Sequence, residues 1–176
     1  PMTLELPARP AQHFIDEVLL PAWDATDAVG YDPAAAPGTD AFLPIATSLS
    51  NVGAGYPSLV IQYSSETTPG ESTYDFMTSA GPGQTRQGTL LAVARAESEA
   101  GGYRGDTGVD AVSAEEVVVA LIEEVERVAA TNATGGDSAF ETVGSQRGPE
   151  APDDTDVSPP VRIANCQIDY SYLRTP

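Results

Sequence analysis

Apolar residues recur along this chain with two different periods, and the boundaries between them outline the elements. Over Ser113–Ala130, Val118, Leu121, Ile122, Val125, Val128 and Ala129 return every three or four positions, with Glu116, Glu123, Glu126 and Arg127 opposite. At about 100° per residue that spacing predicts an amphipathic helix. Ser113 is placed to cap it, and Glu116 can reach back to the Ser113 backbone N–H in a capping box. Glu115 and Glu116 also suit the positive end of the helix dipole. Its valines are poor helix formers, so packing on a sheet must hold the segment. Glu123, Glu124 and Glu126 read as its solvated face. A shorter helix is predicted near the start, where Phe14, Ile15, Val18, Leu19, Ala22 and Trp23 share the same spacing. Pro10 suits its first position, and Pro21 should break or kink it near Leu20. Trp23 reads as an anchor for the helix end, and His13, the only histidine, as a packing or surface residue.

Alternation of period two marks the strands. In Ser58–Tyr63, Leu59, Ile61 and Tyr63 face one way and Val60 and Gln62 the other. Thr73–Met77 and Gly88–Arg95 follow, separated by Thr67-Thr68-Pro69-Gly70 and Gly81-Pro82-Gly83, which read as turns in an antiparallel meander. The unbroken runs at Val60-Ile61 and Leu90–Val93 predict cover on both faces of part of the sheet. Phe140–Val143 offers a short strand and Val161–Leu173 a long one. The long one changes phase near Ala164-Asn165, as a β-bulge there would require. Residues 24–56, with a short strand near Phe42, and 144–160 read as extended loops of a single domain spanning 1–176. The predicted class is α+β: a mixed, mainly antiparallel sheet of four to five strands with two helices packed on one face.

Charge alters this picture more than any motif does. Asp and Glu number 26 against 8 basic residues, all arginine, for a net charge of −18. An apolar fraction of 41% and clear periodicity set the chain apart from disordered acidic tails. Dense carboxylates, no lysine and small core residues resemble haloarchaeal proteins, in which molar salt screens self-repulsion. Binding nucleic acid by counterion release needs clustered cations, and the arginines are scattered. The single Cys166 allows no intrachain disulfide and reads as a small buried hydrophobe. The chain has no run of ~18 apolar residues and no basic leader, so a soluble product made in the cytoplasm is expected. For such a product the acceptor sequence Asn132-Ala133-Thr134 has no use. Asp106, Gly108 and Asp110 lack the closing Glu of a calcium loop. Neither a nucleophile elbow nor a phosphate-binding loop is present, so no enzyme activity, cofactor, metal or catalytic residue is expected.

The element order is the helix Gln12–Leu20, a long loop, the strand at Tyr56–Ile61, the strand Leu90–Arg95, the helix Ser113–Ala130 and a closing strand Arg162–Tyr172. It resembles the tail terminators, or tail-completion proteins, of long-tailed viruses, over most of the chain and as an arrangement of elements. With the acidic composition, the resemblance implies a virus of haloarchaea. It implies a structural virion protein at the neck: a homohexameric ring that ends the tail tube, joins tail to head, and touches the tail tube protein and a head-side connector or head-closure protein. Genomic DNA would pass through its lumen without specific binding, aided by acidic repulsion of phosphates, and no membrane is involved. The expected interface residues are Tyr74, Phe76, Met77 and Arg86 of the turn-rich meander, with Tyr170, Tyr172 and Arg174 of the last strand, since aromatic, Met and Arg side chains are enriched at interfaces. The alternatives are another neck component, such as a head-closure or connector protein, and a halophilic cytoplasmic binding domain or enzyme.

Overall fold

The computed structural model describes residues 10–48, 55–67, 76–78, 81–97, 103–104, 111–133, 140–148, 151–154 and 161–174. The first helix, α1, runs through α-helical Pro10–His13, π-helical Phe14–Leu19 and α-helical Leu20–Ala22. The helix does not break at Leu20; the irregularity expected there takes the form of the π-helical stretch that ends at Leu19. The wide turn instead pairs the Leu20 N–H with the Ile15 carbonyl, and a π-helical stretch accommodates Pro21, which has no N–H to give. The helix stops at Trp23, whose backbone is extended and whose indole N–H donates to the Tyr31 carbonyl at 2.9 Å. The anchoring role read for Trp23 therefore holds.

Strand β1 (Ile45–Ala46) lies parallel to β2 (Ser58–Thr67). Then come β3 (Phe76–Thr78), β4 (Gly81–Glu97), and a small two-stranded unit of β5 (Tyr103–Arg104) and β6 (Ala111–Val112). Helix α2 is Ala114–Asn132, followed by β7 (Phe140–Arg147), β8 (Ala151–Asp154) and β9 (Val161–Arg174). The main sheet runs β1-β2-β4-β9-β7, with β3 added to β4 and β8 to β9. Every named pair except β1–β2 is antiparallel. The molecule is thus α+β, with a mixed, mainly antiparallel sheet.

One apolar cluster joins both helices to one face of the sheet. Phe14, Ile15, Val18 and Leu19 of α1 and Val117, Val118, Leu121, Ile122, Val125, Val128 and Ala129 of α2 meet Leu59, Ile61, Leu90, Ala92, Ala94, Cys166 and Ile168. The alanines of β4 let α2 approach closely. The capping box is formed, with Ser113 Oγ accepting from Glu116 N–H at 3.2 Å and Glu116 Oε2 from Ser113 N–H at 3.3 Å. We expect Leu121→Ala or Ile122→Ala to cost about 2–5 kcal/mol, because each leaves a cavity in a packed core. Glu123→Ala, at an exposed position, should cost under about 0.5 kcal/mol; equal losses in urea titrations would contradict this placement.

Several expectations need correction. The strands do not form a meander in chain order, because β2 pairs directly with β4, from Ser58↔Arg95 to Thr67↔Gln87. Gly81-Pro82-Gly83 is not a turn but the start of β4, where it faces Phe76–Thr78. A bulge near Ala164-Asn165 is also absent: β9 pairs with β4 without a shift from Val161 to Arg174. The register shifts fall on other strands, between Tyr63 and Ser65 in β2, between Thr142 and Gly144 in β7 and between Ala151 and Asp154 in β8. Val161 simply belongs to the second face, which also buries Val60 beside the helix-side Ile61. That is the two-sided cover expected at Val60-Ile61. The stretch 144–160 is not all loop, since β7 runs to Arg147 and β8 adds to β9.

Candidate interaction site

At one end of the sheet the strands outlast their neighbours. The last β2 pair is Thr67↔Gln87 and the first β7 pair is Phe140↔Tyr172. Strand β4 continues beyond both, pairing Thr85 with Leu173 and Gln84 with Arg174, and then Gly83, Pro82 and Gly81 with Phe76, Met77 and Thr78. Among the described residues the body thus narrows to a ribbon built from β3, the start of β4 and the end of β9. Phe76, Met77 and Arg174 lie on its backbone; Tyr74 lies outside the described residues.

Arg86, Tyr170 and Tyr172 come together at the root of this ribbon, around a residue that the sequence did not single out. Glu66, with 8% of its side chain exposed, accepts from the Tyr170 hydroxyl at 2.9 Å and from the Tyr172 hydroxyl at 3.0 and 3.1 Å. Arg86 Nη1 stands 3.9 Å from the same carboxylate, an ion pair rather than a hydrogen bond. Gly88 makes the approach possible, because a Cβ there would collide with the Tyr170 hydroxyl and the Ser65 carbonyl. Behind the hydroxyls the rings stack: Phe140 lies 5.1 Å from Tyr170 and 6.2 Å from Tyr172, and His13 lies 5.0 Å from Phe140. That contact gives His13 the packing role read for it.

The two tyrosines are therefore not free contact residues. Tyr170 is fully buried and Tyr172 is 3% exposed, so their rings are spent within their own subunit. Alternation in β9 correctly put them on one face, but nothing local says whether that face meets a neighbour or the protein's own helices. Burial, and after it the Glu66 carboxylate, push the Tyr170 hydroxyl well above its ordinary pKa. It stays a neutral donor and is no acid near neutral pH. The cluster can fix the strands from which the ribbon leaves.

A second cluster ties the loop after α1 to α2. Glu124, 1% exposed, accepts from the Asp24 backbone N–H at 2.8 Å and from Arg127 at 2.9 and 2.5 Å. Arg127 also donates to the Ala22 carbonyl at 2.6 Å and pairs with Asp27 at 3.3 Å. The solvated-face reading fails at Glu124: the loop after α1 lies over that edge of the helix. Glu123 and Glu126 stay at the surface and are bridged by Arg147 at 3.5 and 3.0 Å, while Arg162 pairs with Glu115 at 3.4 Å. Arginines scattered in sequence thus gather along the acidic helix in space.

Cys166 is buried as expected. Its thiol is pushed up to about 12, chiefly by burial and further by Glu126, against the opposing pull of Arg147. Asn132 is buried at the end of α2 and donates to the Phe140 carbonyl at 3.1 Å. Among the described residues no group of three or more His, Cys, Asp or Glu is placed to hold a metal ion. Asp106, Gly108 and Asp110 lie outside them. No helix among the described residues is long and apolar enough to cross a membrane. Comparison with family profiles and with curated protein sequences finds no match to this chain.

Proposed function

We propose that the chain is a structural virion protein of a long-tailed virus. It assembles into a ring at the neck that ends the tail tube and joins tail to head. No catalysis and no cofactor enter this reading. The observation that carries it is the β3–β4–β9 ribbon leaving a body whose helices and sheet follow the order that first suggested the family. A ribbon braced at its root by Glu66, Tyr170, Tyr172 and Arg86 suits a contact arm, since a preordered element loses less entropy on docking. Its partners in this reading are neighbouring subunits, the tail tube protein and a head-side connector or head-closure protein. An acidic lumen would let genomic DNA slide without specific binding.

Deleting Ser72–Gly83 tests the arm. The root lies outside the deleted stretch, so the variant is expected to keep its thermal midpoint in molar salt while losing ring formation or the joining of tails to heads. A folded variant that still joins them would reject the arm. A sharp loss of thermal stability in the lone subunit would show that the segment serves its own core.

A further inference from the structure

Among the described residues, the two edges of the main sheet are open in a matched way. Strand β1 covers β2 only at Leu59 and Val60, and among the described residues no strand pairs with Ile61–Thr67 on the side away from β4. At the far side of the sheet, among the described residues, β7 pairs with β9 alone. The open part of β2 lies opposite Gln87–Ala92 of β4, which lie opposite Ser171–Cys166 of β9, which lie opposite Glu141–Arg147 of β7. Both open edges therefore stand at the same height. Each also spends one extra residue over that height, Ser64 in β2 and Val143 in β7, so the bulges keep the two edges in step.

Direction agrees as well. Strands β2 and β9 run one way and β4 and β7 the other, since each successive pair is antiparallel. A second copy moved sideways across the sheet would bring its β2 antiparallel to β7 of the first, the more stable kind of pairing. Both edges carry exposed apolar side chains at this height: Tyr63 is 52% exposed and Val143 is 59% exposed. Tyr63 pairs with Leu90 and Ser145 with Ile168, and Leu90 pairs with Ile168. Tyr63 of one copy and Ser145 of the next would thus share a row and a face.

We propose that neighbouring copies of this chain join edge to edge, Glu141–Arg147 of one extending the sheet through Ile61–Thr67 of the next. The proposal rests on the self-assembly in the reading above and names its surface. The contact is head-to-tail, so it propagates until a closing rotation makes a ring. It also uses up backbone donors and acceptors that an open edge leaves unpaired.

The test is oxidative cross-linking of a Tyr63→Cys/Ser145→Cys double variant in molar salt, with the native mass measured in parallel. Both positions are exposed, so the fold should tolerate the changes, and buried Cys166 should stay out of the reaction. The double variant is expected to give a ladder of disulfide-linked multimers, and each single variant none. A multimeric native mass without a ladder would overturn edge pairing and leave the ring standing. Linked dimers from Ser145→Cys alone would mean that β7 pairs with its own copy about a two-fold axis, which also overturns the proposal. A native mass of one subunit with no ladder would remove both the edge contact and the ring.

Discussion

Lowering the salt from roughly molar to about 0.1 M KCl is expected to abolish cooperative folding, because the screening length grows from about 3 Å to about 10 Å. The charge responsible is −18 on 176 residues, and self-repulsion of that kind opposes the compact state. The ion pairs oppose this trend, since dilution strengthens them. Those at Arg147–Glu123, Arg147–Glu126 and Arg162–Glu115 each have at least one well-exposed partner, however, and each is worth about 0–1 kcal/mol. They offset repulsion along α2 and leave most of the acidic surface unanswered. Circular dichroism melts across a KCl series would decide the point. An unchanged midpoint from molar to about 0.1 M salt would remove the halophilic reading, and with it the inference about the host.

Arg127→Met is expected to be the most damaging single substitution on the surface of α2, at about 3–5 kcal/mol, because it strands a buried carboxylate. Glu124 would keep the Asp24 backbone N–H and lose both guanidinium bonds. The loop after α1 would lose the Ala22 and Asp27 contacts at the same time. Replacing both partners by apolar residues, as in Glu124→Leu/Arg127→Met, removes the stranded charge and should recover much of the loss. Chemical denaturation in molar salt, run as a double-mutant cycle, gives the coupling directly. If Arg127→Met costs no more than a surface substitution, the Glu124 cluster is not holding the loop to the helix.

The ribbon and its root were only partly legible. Aromatic and Met residues among turns marked the segment around Tyr74–Met77, and alternation marked Tyr170 and Tyr172. Glu66 carried no local signal. It follows Ser64-Ser65 near the end of a strand, and it matters only because β9, more than a hundred residues later, brings two hydroxyls onto it. The matched open edges were equally invisible, since they follow from the register of four strands.

By itself the sequence determined what depends on near neighbours. The period of Val118–Ala129, the Ser113–Glu116 box and the alternation in Ser58–Tyr63 define elements within a few residues, and the structure contains them. Their sum, apolar on one face of each helix and of the sheet, was enough for the α+β class. The tertiary structure decided what depends on distant partners. It alone set β2 beside β4 rather than β3, moved the expected bulge from β9 onto β2, β7 and β8, and buried Glu124 under a loop a hundred residues away. The physical reason is that hydrophobic periodicity is a property of the chain, whereas strand pairing, register and the burial of a charge depend on which distant segments come to lie together.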